Sequence, residues 1–161
     1  MNTSERRRLI LDYLHEADRP LSATALAGEL SVSRQVIVGD VALLRASGAA
    51  ITATPRGYVL DRPQPGVVRT VACLHSGADM EQGCVVENVI VEHPVYGQLT
   101  GPLDLASRYD ISEFIRKVEK NAARPLSLLT DGIHLHTLRC PDEGAFKRAA
   151  AALGQAGVLA K

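Results

Sequence analysis

The stretch Asp61-Arg62-Pro63-Gln64-Pro65-Gly66 divides two segments with different apolar periodicities. Before it, apolar side chains recur every three or four positions; after it, long runs alternate with a period of two. Two prolines and a glycine in four residues interrupt both patterns and make a short, fairly stiff connection. The chain is therefore expected to form two modules, residues 1–62 and 67–161. With 46% hydrophobic content among 161 residues each can build a core. Both are near the size at which a partner surface adds stability, so a homodimer is the default expectation.

Charge excludes little by itself. Eighteen basic residues balance eighteen acidic ones, with eight against seven before Pro63 and ten against eleven after it. Any DNA contact must then come from locally placed arginines and not from bulk attraction. Cys73, Cys84 and Cys140 form no Cys-x-x-Cys pair, and three reduced thiols in a cytoplasmic protein are expected. Only Leu9, Ile10 and Leu11 follow the opening Arg6-Arg7-Arg8 before Asp12, so no signal-peptide core is expected, nor is a membrane span.

In the first module Leu9, Ile10, Tyr13 and Leu14 predict a helix over residues 4–17, with Arg6, Arg7 and Arg8 on its surface. Ser22 can cap a short helix over 23–30, and Ser33 a third in which Ile37, Val41 and Leu44 face inward until Gly48. Two helices joined so tightly have the layout of a helix-turn-helix. The outward residues near the start of the third helix would then be Arg34, Gln35, Val36, Val38 and Gly39. Arg suits guanine, Gln adenine and valine methyls thymine, while the Ser33 hydroxyl and the free helix N–H groups suit a phosphate. Residues 51–60 predict a hairpin wing with Arg56 at its Pro-Arg-Gly tip. The series Leu21-Ser22, Leu26-Ala27, Val32 to Ile37, Asp40-Val41, Leu43-Leu44-Arg45, Gly48 and Gly57-Tyr58 resembles the winged-helix module of bacterial ligand-responsive repressors. In that wider class a basic residue often stands where Gly39 does, so one phosphate or base contact is expected to be missing.

The second module reads as strands over 67–75, 84–93 and 94–100, a helix over 107–121, a strand over 133–140 and a helix over 142–156. Strict alternation along the second strand puts Val86, Asn88, Ile90 and Glu92 opposite Val85, Glu87, Val89, Val91 and His93. The fold class expected for the whole is α+β: a winged helix-turn-helix followed by a small α/β sandwich with helices on one side of the sheet. His134 and His136 share a strand face, away from Ile133, Leu135 and Thr137. Such a pair on a wet face is uninformative, but with His75 and a carboxylate it has the ligand mix for Zn, Ni, Co or Fe(II).

Cys73-x-His75, Val91-Glu92-His93-Pro94-Val95-Tyr96-Gly97, Ser107-Arg108-x-Asp110 and Leu129-Thr130-x-Gly132-x-His134-x-His136-Thr137 resemble the three-histidine regulatory domain of niacin-responsive repressors. That resemblance implies a homodimeric, non-enzymatic repressor of NAD biosynthesis or niacin uptake genes whose effector is nicotinic acid, which increases operator binding. It also implies a divalent transition metal held by His75, Glu81, His134 and His136, with His93 a structural or interface residue. Only seventeen residues separate His75 from His93. The family's span is longer, and the short one leaves room for about two helical turns and leaves Asp79 as a substitute for Glu81. Arg108, or else Arg139, could pair with an anionic effector, Arg108 being the first choice. DNA contacts are expected from Ser33, Arg34, Gln35, Val36 and Arg56. Two other readings fit fewer residues: a metal-dependent hydrolase with a vestigial DNA-binding arm, and a winged helix that docks on protein.

Overall fold

A computed structural model describes residues 1–74 and 83–160. The chain divides into two compact units, Met1–Pro63 and Gln64–Lys161. Among the described residues no helix is long and apolar enough to cross a membrane.

The first unit contains α1 (Thr3–Glu16), α2 (Ala23–Glu29), α3 (Arg34–Ala46) and the hairpin β1 (Ile51–Thr54) with β2 (Gly57–Leu60). Asn2, Ser22 and Ser33 each accept a backbone N–H from the residue three places on, so every helix starts on a side-chain cap. Ile10, Leu14, Leu26, Ile37, Val41 and Ile51 fill the core. A single bridge between Leu21 and Tyr58 joins the hairpin to the loop before α2. There a Cβ at position 57 would lie 2.5 Å from the Leu21 carbonyl, which only glycine avoids.

The basic run at the start of α1 does not lie free on the surface as expected. Arg6 Nε donates to one carboxylate oxygen of Asp40 at 2.6 Å and Arg7 Nε to the other at 2.9 Å. Asp40 is buried on α3, so this fork ties α1 to the third helix. Arg62 of the connecting segment is also held, its guanidinium donating to the Leu14 and His15 carbonyls at the end of α1. It satisfies acceptors that a helix terminus leaves open.

The second unit is a four-stranded antiparallel sheet in the order β3 (Val67–Leu74), β6 (Ile133–Cys140), β4 (Val85–His93), β5 (Gly97–Leu105). Helices α4 (Arg108–Lys120) and α5 (Glu143–Gln155) cover one face, where Val86, Leu103, Leu105, Ile111, Leu138, Ala149 and Leu153 pack together. The architecture is the expected α+β one. On the other face Val68, Ile133 and Leu135 stay exposed. Strict alternation along β4 fails at one point: the register shifts between Val86 and Asn88, so two residues oppose Thr137. This bulge turns Val86, Val89 and Val91 to the same side.

Cys84 and Cys140 are joined by a disulfide, with Cα atoms 4.3 Å apart. This corrects the expectation of three reduced thiols. Strand pairing of Val85 with Arg139 sets these two cysteines directly opposite one another, although 56 positions separate them in sequence. Cys73 is free and buried.

Four helices end in the same pair of bonds, in which the first two residues past the cap reach back to the last turn. These are Ser31 and Val32 after α2, Gly48 and Ala49 after α3, Ala122 and Ala123 after α4, and Gly157 and Val158 after α5. The first residue of each pair has a positive φ, which suits Gly48 and Gly157 but puts Ser31 at 52° and Ala122 at 47°.

Ala122→Gly is expected to stabilise the protein by about 0.5–1 kcal/mol by relieving the left-handed conformation, read as a higher urea midpoint. Asp40→Asn, which leaves two guanidinium groups facing a neutral amide, is expected to destabilise by about 2–3 kcal/mol at pH 7. Burial pushes the Asp40 carboxyl up, but the hydrogen bonds and charges of Arg6 and Arg7 outweigh it and hold the group below the usual carboxylate range. Its contribution is therefore full above the unfolded value of about 3.9 and disappears as pH falls through the lower folded value. The wild type is expected to lose stability across that acid limb more steeply than Asp40→Asn, measured by denaturant midpoints at stepped pH.

Candidate metal centre and nucleic-acid interface

His134 and His136 point to the covered side of the sheet, the side of Leu138 and Cys140, and His134 is only 4% exposed. The wet-face alternative is thereby removed for His134. Each ring is fixed by its Nδ1. His134 Nδ1 lies 2.7 Å from the Gly132 carbonyl, and His136 Nδ1 lies 2.8 Å from the Asn88 carbonyl across on β4. A carbonyl oxygen only accepts, so both Nδ1 atoms carry hydrogen and both Nε2 atoms of the neutral rings present lone pairs. Those Nε2 atoms face each other at 3.1 Å, with the ring planes nearly perpendicular.

Two lone pairs at that distance need a proton or a cation between them. For a metal about 2.1 Å from each nitrogen, neighbouring octahedral positions lie roughly 3.0 Å apart and tetrahedral ones roughly 3.4 Å. The pair thus fits two adjacent ligands of a six-coordinate ion, oriented by carbonyls as metal-binding histidines commonly are. Among the described residues no cluster of three or more His, Cys, Asp or Glu surrounds it. His75, Glu81 and Asp79 lie outside the described residues.

Local sequence explains how the rings are aimed. Asp131 and Gly132 both have positive φ, ending the short 3-10 helix Leu126–Thr130 and turning the Gly132 carbonyl toward His134. Asn88 was not singled out from the sequence. It sits at the β4 bulge, gives its carbonyl to His136, and accepts the Thr137 N–H on its side-chain oxygen at 3.2 Å. No motif marks it, because a bulge is a property of pairing and not of one strand. Cys73 pairs with His134 in register, but burial pushes its thiol up, which favours the neutral form over a thiolate ligand.

His93 is engaged elsewhere. Its Nδ1 accepts the Val95 and Tyr96 N–H groups at 3.1 and 3.3 Å, and its ring rests against Tyr96. It shapes the hairpin between β4 and β5. Arg108 is exposed on the first residue of α4, where Ser107 caps the helix and the Asp110 carboxylate accepts the Ala106 N–H. Arg139 shares the open face of the sheet, not the histidine face, and bonds Glu87 at 2.8 Å. That removes it as an effector contact at the pair.

In the first unit Arg34, Gln35 and Val36 are exposed at the start of α3, while Ile37, Val41 and Leu44 are buried. Ser33 Oγ accepts the Val36 N–H at 3.3 Å, and no acidic residue stands in the first turn to repel a phosphate. Arg56 lies half-buried at the wing tip, its N–H donating to Thr54 Oγ1.

The HTH domain family matches residues 6–59, and the 3H domain family matches residues 70–161. The chain is 44% identical to the probable transcription repressor NiaR of Thermotoga maritima, over 96% of this chain and 93% of the relative. It is 42% identical to the transcription repressor NadR of Bacillus subtilis, over 98% and 94%. The chain belongs to the 3H-domain transcription repressors. In this 3H-domain repressor the two matched segments coincide with the recognition-helix unit and with the sheet that carries the histidine pair. The relatives carry the names of regulators, not of enzymes.

If the pair is a metal centre, adding Ni²⁺ or Zn²⁺ is expected to raise the melting temperature, by about 2.7 kcal/mol of stabilisation at a hundredfold excess over the dissociation constant. His136→Ala is expected to abolish that rise. Because the Nε2 atoms must be unprotonated to bind, affinity is expected to fall as pH is lowered and binding to release protons. Equal metal-induced shifts in wild type and His136→Ala would refute the assignment.

Proposed function

We propose that this chain is a cytoplasmic, homodimeric repressor of NAD biosynthesis or niacin uptake genes that senses nicotinic acid through a divalent metal. The observation that carries the sensing half is the facing Nε2 pair, each ring fixed by a backbone carbonyl. His134 and His136 would hold the ion together with His75 and Glu81, or Asp79 in place of Glu81, as the three-histidine resemblance implies. A bound transition metal supplies open positions that an anionic pyridine carboxylate can fill. Arg108 is the proposed charge partner of that carboxylate.

The DNA half rests on the exposed start of α3 and on the wing. Ser33, Arg34, Gln35 and Val36 would enter the major groove and Arg56 would lie over the adjoining backbone. Two such units on one operator require two copies. The open sheet face suits that role: Val68, Ile133 and Leu135 are exposed on it, and its Arg139 is neutralised by Glu87. Four strands about 4.8 Å apart and some eight residues long cover roughly 500 Å² per copy, near the ~1,000 Å² total that separates specific interfaces from chance contacts.

The test is retardation of a duplex carrying the region upstream of a niacin or NAD gene, with and without nicotinic acid in the presence of Ni²⁺. Wild type is expected to retard it more strongly with nicotinic acid, and Arg34→Ala to weaken binding by about tenfold or more. Absence of retardation in both conditions would overturn the reading. Unchanged affinity in Arg34→Ala would favour docking on protein instead.

A further inference from the structure

Gly39 lies in the interior of α3, on the exposed side, with ordinary helical backbone. A Cβ built there meets no atom within 4 Å. Nothing inside the protein requires glycine at this position, and glycine in a helix interior is less stable than alanine by about 1 kcal/mol. Gly28 in α2 is likewise unconstrained, but Gly39 is the one that stands on the outward side of the helix carrying Arg34 and Gln35. Its neighbours on the exposed side are also unusual: Val36 is 37% exposed and Leu43 is 52% exposed, one on each side of Gly39 along the helix. Gln35 stands one turn before it. The result is an apolar notch with bare backbone for a floor.

We infer that Gly39 is a close-approach point for DNA, at which the backbone of α3 seats against a base edge and a thymine 5-methyl group enters the notch beside Val36. This rests on the operator-binding reading and adds a residue to it. A helix with side chains is about 10–12 Å across, and the major groove is about 12 Å wide. Removal of one side chain at the centre of the inserted face therefore decides how deep the helix sits. The thymine methyl is the one apolar group that the groove offers, and it matches the valine wall. A side chain at position 39 would fill the notch and displace the methyl group from it.

The experiment compares full-length wild type, Gly39→Ala, Gly28→Ala and Arg34→Ala on one duplex, selected by the wild-type protein from a random-sequence pool. Gly28 is also an exposed helical glycine with open space around its Cβ, but it lies on α2. Gly39→Ala is expected to raise the unfolding midpoint and yet bind about tenfold or more weakly, with an unchanged salt slope because no phosphate contact is lost. Gly28→Ala is expected to keep wild-type affinity. Replacing thymines singly by deoxyuridine is expected to reveal at least one position whose methyl group contributes to wild-type binding and contributes nothing to Gly39→Ala binding. Wild-type affinity in Gly39→Ala, an equal loss in Gly28→Ala, or no methyl-dependent position would each overturn the inference. Failure of the wild type to select any duplex would overturn the operator-binding reading itself.

Discussion

Two backbone carbonyls govern what the second unit can do. By taking the Nδ1 hydrogens of His134 and His136, Gly132 and Asn88 choose the tautomer of both rings and point both remaining lone pairs at one spot. Without those acceptors either ring could turn, and two histidines on a strand would be ordinary polar residues. With them, the two Nε2 atoms are held 3.1 Å apart, a spacing that a shared proton or a cation would satisfy. The acceptors come from different places, one from the turn that precedes the strand and one from the neighbouring strand. The pair is thus correct only when β4 and β6 are correctly paired.

The first unit depends on a comparable fork. Asp40 occupies a buried position on the same helix that offers Arg34 and Gln35 outward, and its carboxylate holds two consecutive residues of α1. The reading helix is therefore braced from behind. Arg6 and Arg7, expected to lie on the surface of α1, are committed to this brace.

Much of this was legible in the sequence. Apolar spacing placed every helix to within a residue or two, and Ser22 and Ser33 cap theirs as expected. The His-x-His alternation was visible as well, and so was the common face of the two rings. Three things were not. The Arg6–Asp40–Arg7 fork joins residues more than thirty positions apart, and no local pattern encodes such a pairing. The Cys84–Cys140 bond depends on strand register, so counting cysteines could not find it. Which side of β6 is covered was also hidden, since Ile133 and Leu135 look like core residues yet face outward while His134 is enclosed.

The extra residue in β4 has an effect beyond its own position. It shifts the phase of the strand, so that Val86 on one side of it and Val89 and Val91 on the other all turn to the covered side, while the Asn88 carbonyl is left directed at an imidazole. Deleting a single residue there would straighten the strand, turn half of its valines toward water and withdraw the acceptor in the same stroke. The aim of the imidazole and the packing beneath it are consequently inherited together: a lineage cannot lose one by a small slip in this strand and keep the other.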